Sequence, residues 1–454
     1  MSARDLTTGS IPRHILTLAL PVVAAMGLQS VYALVDLGYI RQLGEDSVAG
    51  LSVSFQAFFL VLAMAKVVGT TLLSRVSHLY GQDRIDDARR VFTRYSGVAV
   101  IIGLCSAIVA WFSAEFYVYT FTEAPGARME GIAYFRISAV TFLFQLLLVV
   151  FGDGLRASGD FVTPVKLMVA SVITNLVLDP ILIFGLGPIP AMGISGAALA
   201  TVLSQMVPLG LYVRGFLRGR GPRDLRWVAP GTDPTMMREL VVRGLPAGLQ
   251  FFLISGVLGL VLWKIKPHGA AWTAAAGGGF RIVQQGFLPL VALSVATSAI
   301  VGQNLGAGMF SRVRRAAWGA LAVGCTYGLL LSVALFLNGE TAGLLFIKNP
   351  EWLPVAVTYF NWSSWLGISV GMSLVPSFVL QAAGKAVRPA GAAVFRVLLL
   401  ALLVVGIPDD QPAWVFGATT ATALVEGIID TILLVQFLAG LPSDEERLDV
   451  VSEA

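Results

Sequence analysis

The 454-residue chain is 56% hydrophobic and 13% charged, with a net charge of +4 and a mean hydropathy of +0.79. A soluble domain carries roughly 25% charged residues, so these figures exclude a soluble enzyme or binding module and define an integral membrane protein. The small net charge sits in loops, which argues against a nucleic-acid partner. The two cysteines, Cys105 and Cys325, lie in apolar runs and offer neither a disulfide framework nor a metal cluster.

The polar start, Met1 to Arg13, leads directly into a full-length apolar run, which is not the pattern of a cleavable signal peptide. About twenty apolar residues cross a bilayer. By that measure twelve spans are predicted: 14–40, 50–74, 92–119, 132–155, 163–186, 193–217, 237–264, 271–300, 314–338, 353–381, 389–407 and 414–438. The even-numbered connections carry the arginines, among them Arg84, Arg89 and Arg90, then Arg214, Arg218, Arg220, Arg223 and Arg226, then Arg312, Arg314 and Arg315. The odd-numbered ones hold few basic residues, such as Arg41, Arg128, Lys264, Lys266 and Lys348. Positive-inside asymmetry then puts the even loops and both termini in the cytoplasm. The expected location is the cell membrane, the inner membrane of a bacterium.

The chain repeats itself at a shift of 225 residues. Pro21 falls on Pro246, Gly81 on Gly306, Arg89-Arg90 on Arg314-Arg315, and Leu155-Arg156-Ala157-Ser158-Gly159 on Leu380-Gln381-Ala382-Ala383-Gly384. The expected fold is therefore an all-α integral membrane protein of twelve transmembrane helices in two six-helix lobes. An even span count gives both lobes one orientation, related by a pseudo-two-fold along the membrane normal. The expected domains are an N-lobe over 1–217, a basic linker over 218–234, a C-lobe over 235–440 and an acidic disordered tail over 441–454.

Charges inside the apolar runs mark candidate sites, because an Asp at the centre of a membrane helix costs at least roughly 2.5–3.5 kcal/mol. Asp36 lies near the outer end of the first span and Asp179 at similar depth in the fifth. Asn175 and Asp179 are four residues apart and share a helix face, as do Gln29, Tyr32 and Asp36. Pro180 removes a backbone donor beside the acid. At the 225-residue shift Asp36 falls on Val261, Asn175 on Leu400 and Asp179 on Val404, so this constellation belongs to one half alone. A constraint of the fold acts on both halves, so a one-sided feature points to function: a proton or cation site. The structural alternatives are an interfacial acid at Asp36 and a hydrogen-bonded packing pair at Asn175 and Asp179.

Other intramembrane charges have plainer readings. Arg396, Glu426 and Asp430 lie at matching depth on the last two spans and read as an ion pair, with a second ion site as the alternative. Lys66 and Asp153 are placed for snorkelling or local pairing. Arg281 is a candidate cavity-lining residue, and Pro21 and Pro246 are candidate kinks, static or hinged. There is no Walker loop, the histidines stand apart, and Gly277-Gly278-Gly279 lacks a strand before it. No enzyme, cofactor or metal site is expected.

Several runs together resemble the multidrug and toxic compound extrusion (MATE) family. They are Leu34-Val35-Asp36, the loop around Gly81, Leu155 through Pro164, Asn175 through Gly185, Gly193 through Thr201, and Gly302 through Gly308. The resemblance covers about residues 10–440 and implies twelve helices in two lobes. It implies export of organic cations and other amphipathic compounds against inflowing protons or sodium ions. In the DinF-like branch the functional acid matches Asp36, and Asn175 and Asp179 match residues that join it; Gln29, Tyr32 and Thr201 match polar positions lining the same cavity. The NorM-like branch uses acids in the seventh and tenth helices; here the seventh span has only Glu239, at its start, and the tenth has none. The expectation is therefore a DinF-like antiporter with Asp36 and Asp179 as the protonatable site, Pro21 and Pro180 as hinges, and Arg281 among the substrate contacts. Its partners are amphipathic drugs and membrane lipids, and it works as a monomer. The alternatives are a sodium-coupled exporter, a lipid-linked-precursor flippase needing a basic cavity, a membrane-embedded prenyl transferase for which Asp409-Asp410 is too sparse, and a sensor without transport.

Overall fold

In hydrocarbon every backbone N–H and C=O must be satisfied within its own segment, and a helix does this without a neighbour. In the computed structural model, which describes residues 5–122, 125–218, 235–347 and 349–443, the apolar runs are helices throughout. In order they are α1 (Ile11–Arg41), α2 (Glu45–Gly81), α3 (Ile85–Phe121), α4 (Pro125–Ala157), α5 (Val162–Phe184), α6 (Gly193–Leu217), the short α7 (Thr235–Glu239), α8 (Leu245–Ile265), α9 (Ala270–Gly286), α10 (Leu288–Gly306), α11 (Phe310–Leu337), the short α12 (Gly339–Leu344), α13 (Leu353–Ser363), α14 (Leu366–Ala382), α15 (Val387–Gly406) and α16 (Ala413–Ala439). Among the described residues the β-structure is a single bridge, Leu186 to Ile189, in the α5–α6 connection. The predicted linker residues 219–234, the tail residues 444–454 and Lys348 lie outside the described residues.

Among the described residues eleven helical stretches are long and apolar enough to cross a membrane, and the pair Pro350–Ser363 and Leu366–Ala382, bent by 42°, supplies a twelfth if it is one span. Two predicted spans differ in detail. The run 271–300 is two helices, α9 and α10, parted at Phe287. Pro289 cannot donate to the helical ladder there, and the Phe287 N–H turns tightly onto the Gln284 carbonyl at 3.1 Å. The run 353–381 is likewise broken between α13 and α14. The two prolines paired by the repeat also behave differently. Pro21 sits inside an unbroken α1, whereas Pro246 follows one π turn, Leu240–Gly244, that joins α7 to α8. The wider turn gives the proline ring room beside the preceding carbonyls.

The 225-residue repeat is visible in the helix ends. Positive φ occurs at Asp83 (58°) and at Gly308 (68°), and again at Gly159 (88°) and Gly384 (74°). At each of the four, the next residue's N–H returns to the carbonyl five residues before it: Arg84 to Leu79 (2.9 Å), Met309 to Asn304 (2.8 Å), Asp160 to Leu155 (2.9 Å) and Lys385 to Leu380 (2.8 Å). These are Schellman endings, which satisfy the orphan carbonyls of a helix C-terminus and require a left-handed residue. The repeated positions thus share turn geometry, with glycine in both halves at 159 and 384 and with Asp83 matched to Gly308.

The chain divides into two compact units, one built on Pro21–Gly244 and the other on Leu6–Leu20 with the residues from Leu245 onward. This departs from the expected boundaries at both ends. The opening segment belongs with the second half because its backbone is held there. Leu6 N–H donates to Gln303 Oε1 (3.1 Å), Asn304 Nδ2 donates to the Leu6 carbonyl (3.0 Å), and Arg312 Nη1 donates to the Gly9 carbonyl (3.0 Å). Residues 235–244 stay with the first half. Glu239 accepts from the Tyr95 hydroxyl (3.2 Å) and pairs with Arg75 (3.1 Å), and Gly244 lies so close to Val67 and Thr71 that a Cβ would clash.

Each unit has its own apolar core. In the first, Phe92 of α3, Phe151 of α4 and Phe216 of α6 meet ring to ring, with centroids 4.8 Å apart for Phe92–Phe216 and 5.2 Å for Phe151–Phe216. In the second, Tyr359 of α13 packs edge-on against Phe416 of α16 at 5.0 Å. Gly328 of α11 abuts the Gly367 backbone of α14 with no room for a side chain, the close approach expected where lipid supplies no hydrophobic drive between helices.

Candidate functional site

The acids singled out from the sequence come together inside the first unit. Asp36 and Asp179 each sit about one and a half turns before the end of their helices, α1 and α5. One turn of helix brings Asn175 under Asp179, and its Nδ2 donates to Asp179 Oδ1 at 2.7 Å. Asn175 is 3% and Asp179 0% exposed, while Asp36 is half-buried. The Asp36 and Asp179 carboxyls lie within hydrogen-bonding reach of each other. Asp36 Oδ1 and Asp179 Oδ2 have no other partner. Two ionised carboxylates are acceptors only, so nothing joins these oxygens until one of them carries a proton. One proton, or one small cation, satisfies both.

Hydroxyls complete the surroundings. Tyr32, one turn before Asp36, meets Thr201 of α6, and Tyr134 of α4 stands beside the same carboxyls. Thr201 itself donates back to the Ala197 carbonyl at 3.1 Å. Beyond the acids, Ile40, Ile183 and Ala197 form an apolar cluster against which Tyr39, Leu43 and Tyr134 pack. Tyr39 and Phe184 meet edge to face at 6.0 Å. The acids therefore sit behind an apolar plug at the ends of α1 and α5. Pro180 lies inside α5 and leaves the Leu176 carbonyl without its helical donor next to the acid.

Not every candidate joins this group. Gln29 is exposed on α1, one turn before Tyr32, and Arg281 is exposed on α9 in the second unit. Tyr134 was not singled out from the sequence. It lies 98 residues after Asp36 and 45 before Asp179 with no spacing that ties it to them, and only the packing of α4 brings it in.

The other buried charges resolve into local pairs. Arg156 Nη1 holds Asp153 Oδ1 at 2.6 Å, with Lys66 alongside. Arg396 Nη1 holds Glu426 Oε2 at 2.8 Å, the expected ion pair, but Asp430 takes a different set of partners, Ser373 Oγ at 2.7 Å and Ser377 Oγ at 3.1 Å.

A twelve-span membrane chain built as a repeat, with two acids brought together without a basic partner in its first half, has the form of a secondary transporter. The family model MatE matches the chain twice, over residues 21–181 and 246–405, the second match starting 225 residues after the first. The chain belongs to the MatE family of multidrug efflux transporters, which are not enzymes.

Similar curated proteins include a FAD transporter of Shewanella oneidensis, 28% identical over 358 residues that span 77% of this chain and 78% of that protein. The multidrug export protein MepA of Staphylococcus aureus is 25% identical over 398 residues, 85% of this chain and 84% of that protein. Among solved structures, an outward-facing conformation of a multidrug resistance MATE family transporter of the MOP superfamily superposes with a TM-score of 0.90. It is 20% identical and covers 96% of this chain and 98% of its own, a likeness of fold.

Proposed function

We infer that this protein is a proton-coupled antiporter that exports organic cations and other amphipathic compounds by alternating access. The observation that carries this reading is the Asp36–Asp179 pair: a half-buried carboxyl of α1 and a fully buried one of α5, within reach of each other and with no salt-bridge partner among the described residues. Without a proton the pair holds uncompensated negative charge, which attracts a cationic substrate. With one proton it keeps a single negative charge shared across its own hydrogen bond and attracts a cation less strongly. The two states favour different packings of α1 and α5, and a ligand that distinguishes them shifts the equilibrium between conformations. Asn175 steadies Asp179 in either state. Gln29, Tyr32, Thr201 and Arg281 are proposed as substrate contacts, with Pro21 and Pro180 as the points where the helices bend. The even-numbered loops and both termini are placed in the cytoplasm by charge asymmetry, in the cell membrane, with the chain working as a monomer among its lipids.

A sodium ion is the competing occupant, since the same oxygens suit a small hard cation. The deciding experiment is efflux from vesicles carrying the purified protein, under an imposed pH gradient or an imposed sodium gradient. Wild type and Asp36→Asn are compared, with an organic cation and FAD as alternative substrates. The expected result is cation export driven by the pH gradient and lost in Asp36→Asn. Export that follows sodium at constant pH replaces the proton by sodium. Undiminished export by Asp36→Asn removes the site, and lipid scrambling without drug export favours a flippase.

A further inference from the structure

The second unit contains an acid that the Asp36–Asp179 site does not use. Asp430 of α16 is 0% exposed. Its Oδ2 accepts from two hydroxyls of α14, Ser373 at 2.7 Å and Ser377 at 3.1 Å, and its Oδ1 is buried with no partner. The charges around it do not balance it. On its own helix Glu426 is one turn away and is held by Arg396 of α15 at 2.8 Å. Neither α13 nor α14 carries a charged residue, and on α8 the one charged side chain, Lys264, pairs with Asp409 at 2.7 Å. Beyond α14, Lys385 lies over the Phe437 ring at 4.7 Å, two turns along α16. The other arginine of α15, Arg388, is exposed at the start of that helix, so one arginine, Arg396, stands among the two acids, and it is taken by Glu426. A buried carboxylate without a cation is among the costliest groups a membrane protein can hold, whereas a neutral carboxylic acid is not. The two serines arrive on one oxygen, as donors to a carbonyl do, and leave the other as the place for the proton.

We propose that Asp430 is a second proton-carrying site, separate from Asp36 and Asp179, with Ser373 and Ser377 holding its carbonyl oxygen and Oδ1 bearing an exchangeable proton.

The test is infrared spectroscopy of the full chain in lipid, in a background carrying Asp36→Asn and Asp179→Asn, first in H2O and then in D2O. That background keeps the outcome independent of the first site. The expected spectrum has a protonated-carboxyl band that moves to lower frequency in D2O and is lost on adding Asp430→Asn. In Ser373→Ala with Ser377→Ala the acid remains, and the band moves to higher frequency because its carbonyl loses both donors. This second variant reads the site even where Asp430→Asn folds poorly. The proposal is overturned by a band that survives Asp430→Asn, by a band that does not respond to D2O, by its absence from the background protein, or by a carboxylate signal that appears only with sodium.

Discussion

At the scale of single residues, the first unit's site turns on one amide and two carboxyls. Asp36→Asn keeps the shape and removes the charge, so drug export driven by a pH gradient should be abolished while the protein still elutes as a folded species. The measurement is efflux beside size-exclusion profile, and export at wild-type rate is the contrary result. Asn175 plays a supporting part. Replacing it by Leu leaves Asp179 Oδ1 buried without its donor, a loss of about 1–3 kcal/mol. The amide stabilises the ionised acid more than the neutral one, so the drop in thermal stability of Asn175→Leu should widen as pH rises. A constant drop across pH would mean the amide serves packing alone. The carboxyl positions, the asparagine one turn below and the proline beside it were legible in the sequence, because charge in an apolar run is conspicuous. Tyr134 was not, because proximity across helices leaves no mark in a single chain.

At the scale of elements, helix ends and tethers carry the argument. Gly159 and Gly384 occupy left-handed positions in matching Schellman turns. Alanine at either adds a Cβ to that conformation and should cost about 1–2 kcal/mol, read as a lower unfolding temperature in detergent. Equal costs at the two sites are expected because the turns are equivalent. The opening segment offers a different test. Arg312 donates to the carbonyls of Leu6, Thr8 and Gly9 and to Asn304 Oδ1. In Arg312→Ala the start of the chain should become sensitive to protease from the cytoplasmic side while the rest of the chain stays resistant. Unchanged resistance would show that Gln303 and Asn304 suffice. The twelve spans followed from apolar length, but the breaks at Phe287 and between α13 and α14 did not. Hydropathy averages over such turns, whereas hydrogen bonding at a proline or a bend decides them.

For the whole molecule, topology is the testable claim. With Cys105 and Cys325 replaced, a cysteine at Gln82, in the α2–α3 connection, should react with a membrane-impermeant reagent from the cytoplasmic side only. One at Gln411, in the α15–α16 connection, should react from outside only. Reversed labelling would overturn the positive-inside assignment.

Composition, apolar length and a constant shift of 225 residues were enough to establish a repeated twelve-span membrane protein in which Asp36, Asn175 and Asp179 have no counterparts in the second half. Those properties are written in order along the chain and survive without knowledge of neighbours. What the tertiary structure decided was partnership. It assigned the segment Leu6–Leu20 to the second unit, set Asp36 against Asp179, brought Tyr134 to them, and gave Arg396 to Glu426 while leaving Asp430 to two serines. Such pairings depend on how helices far apart in sequence pack side by side, and a linear string of residues does not record that.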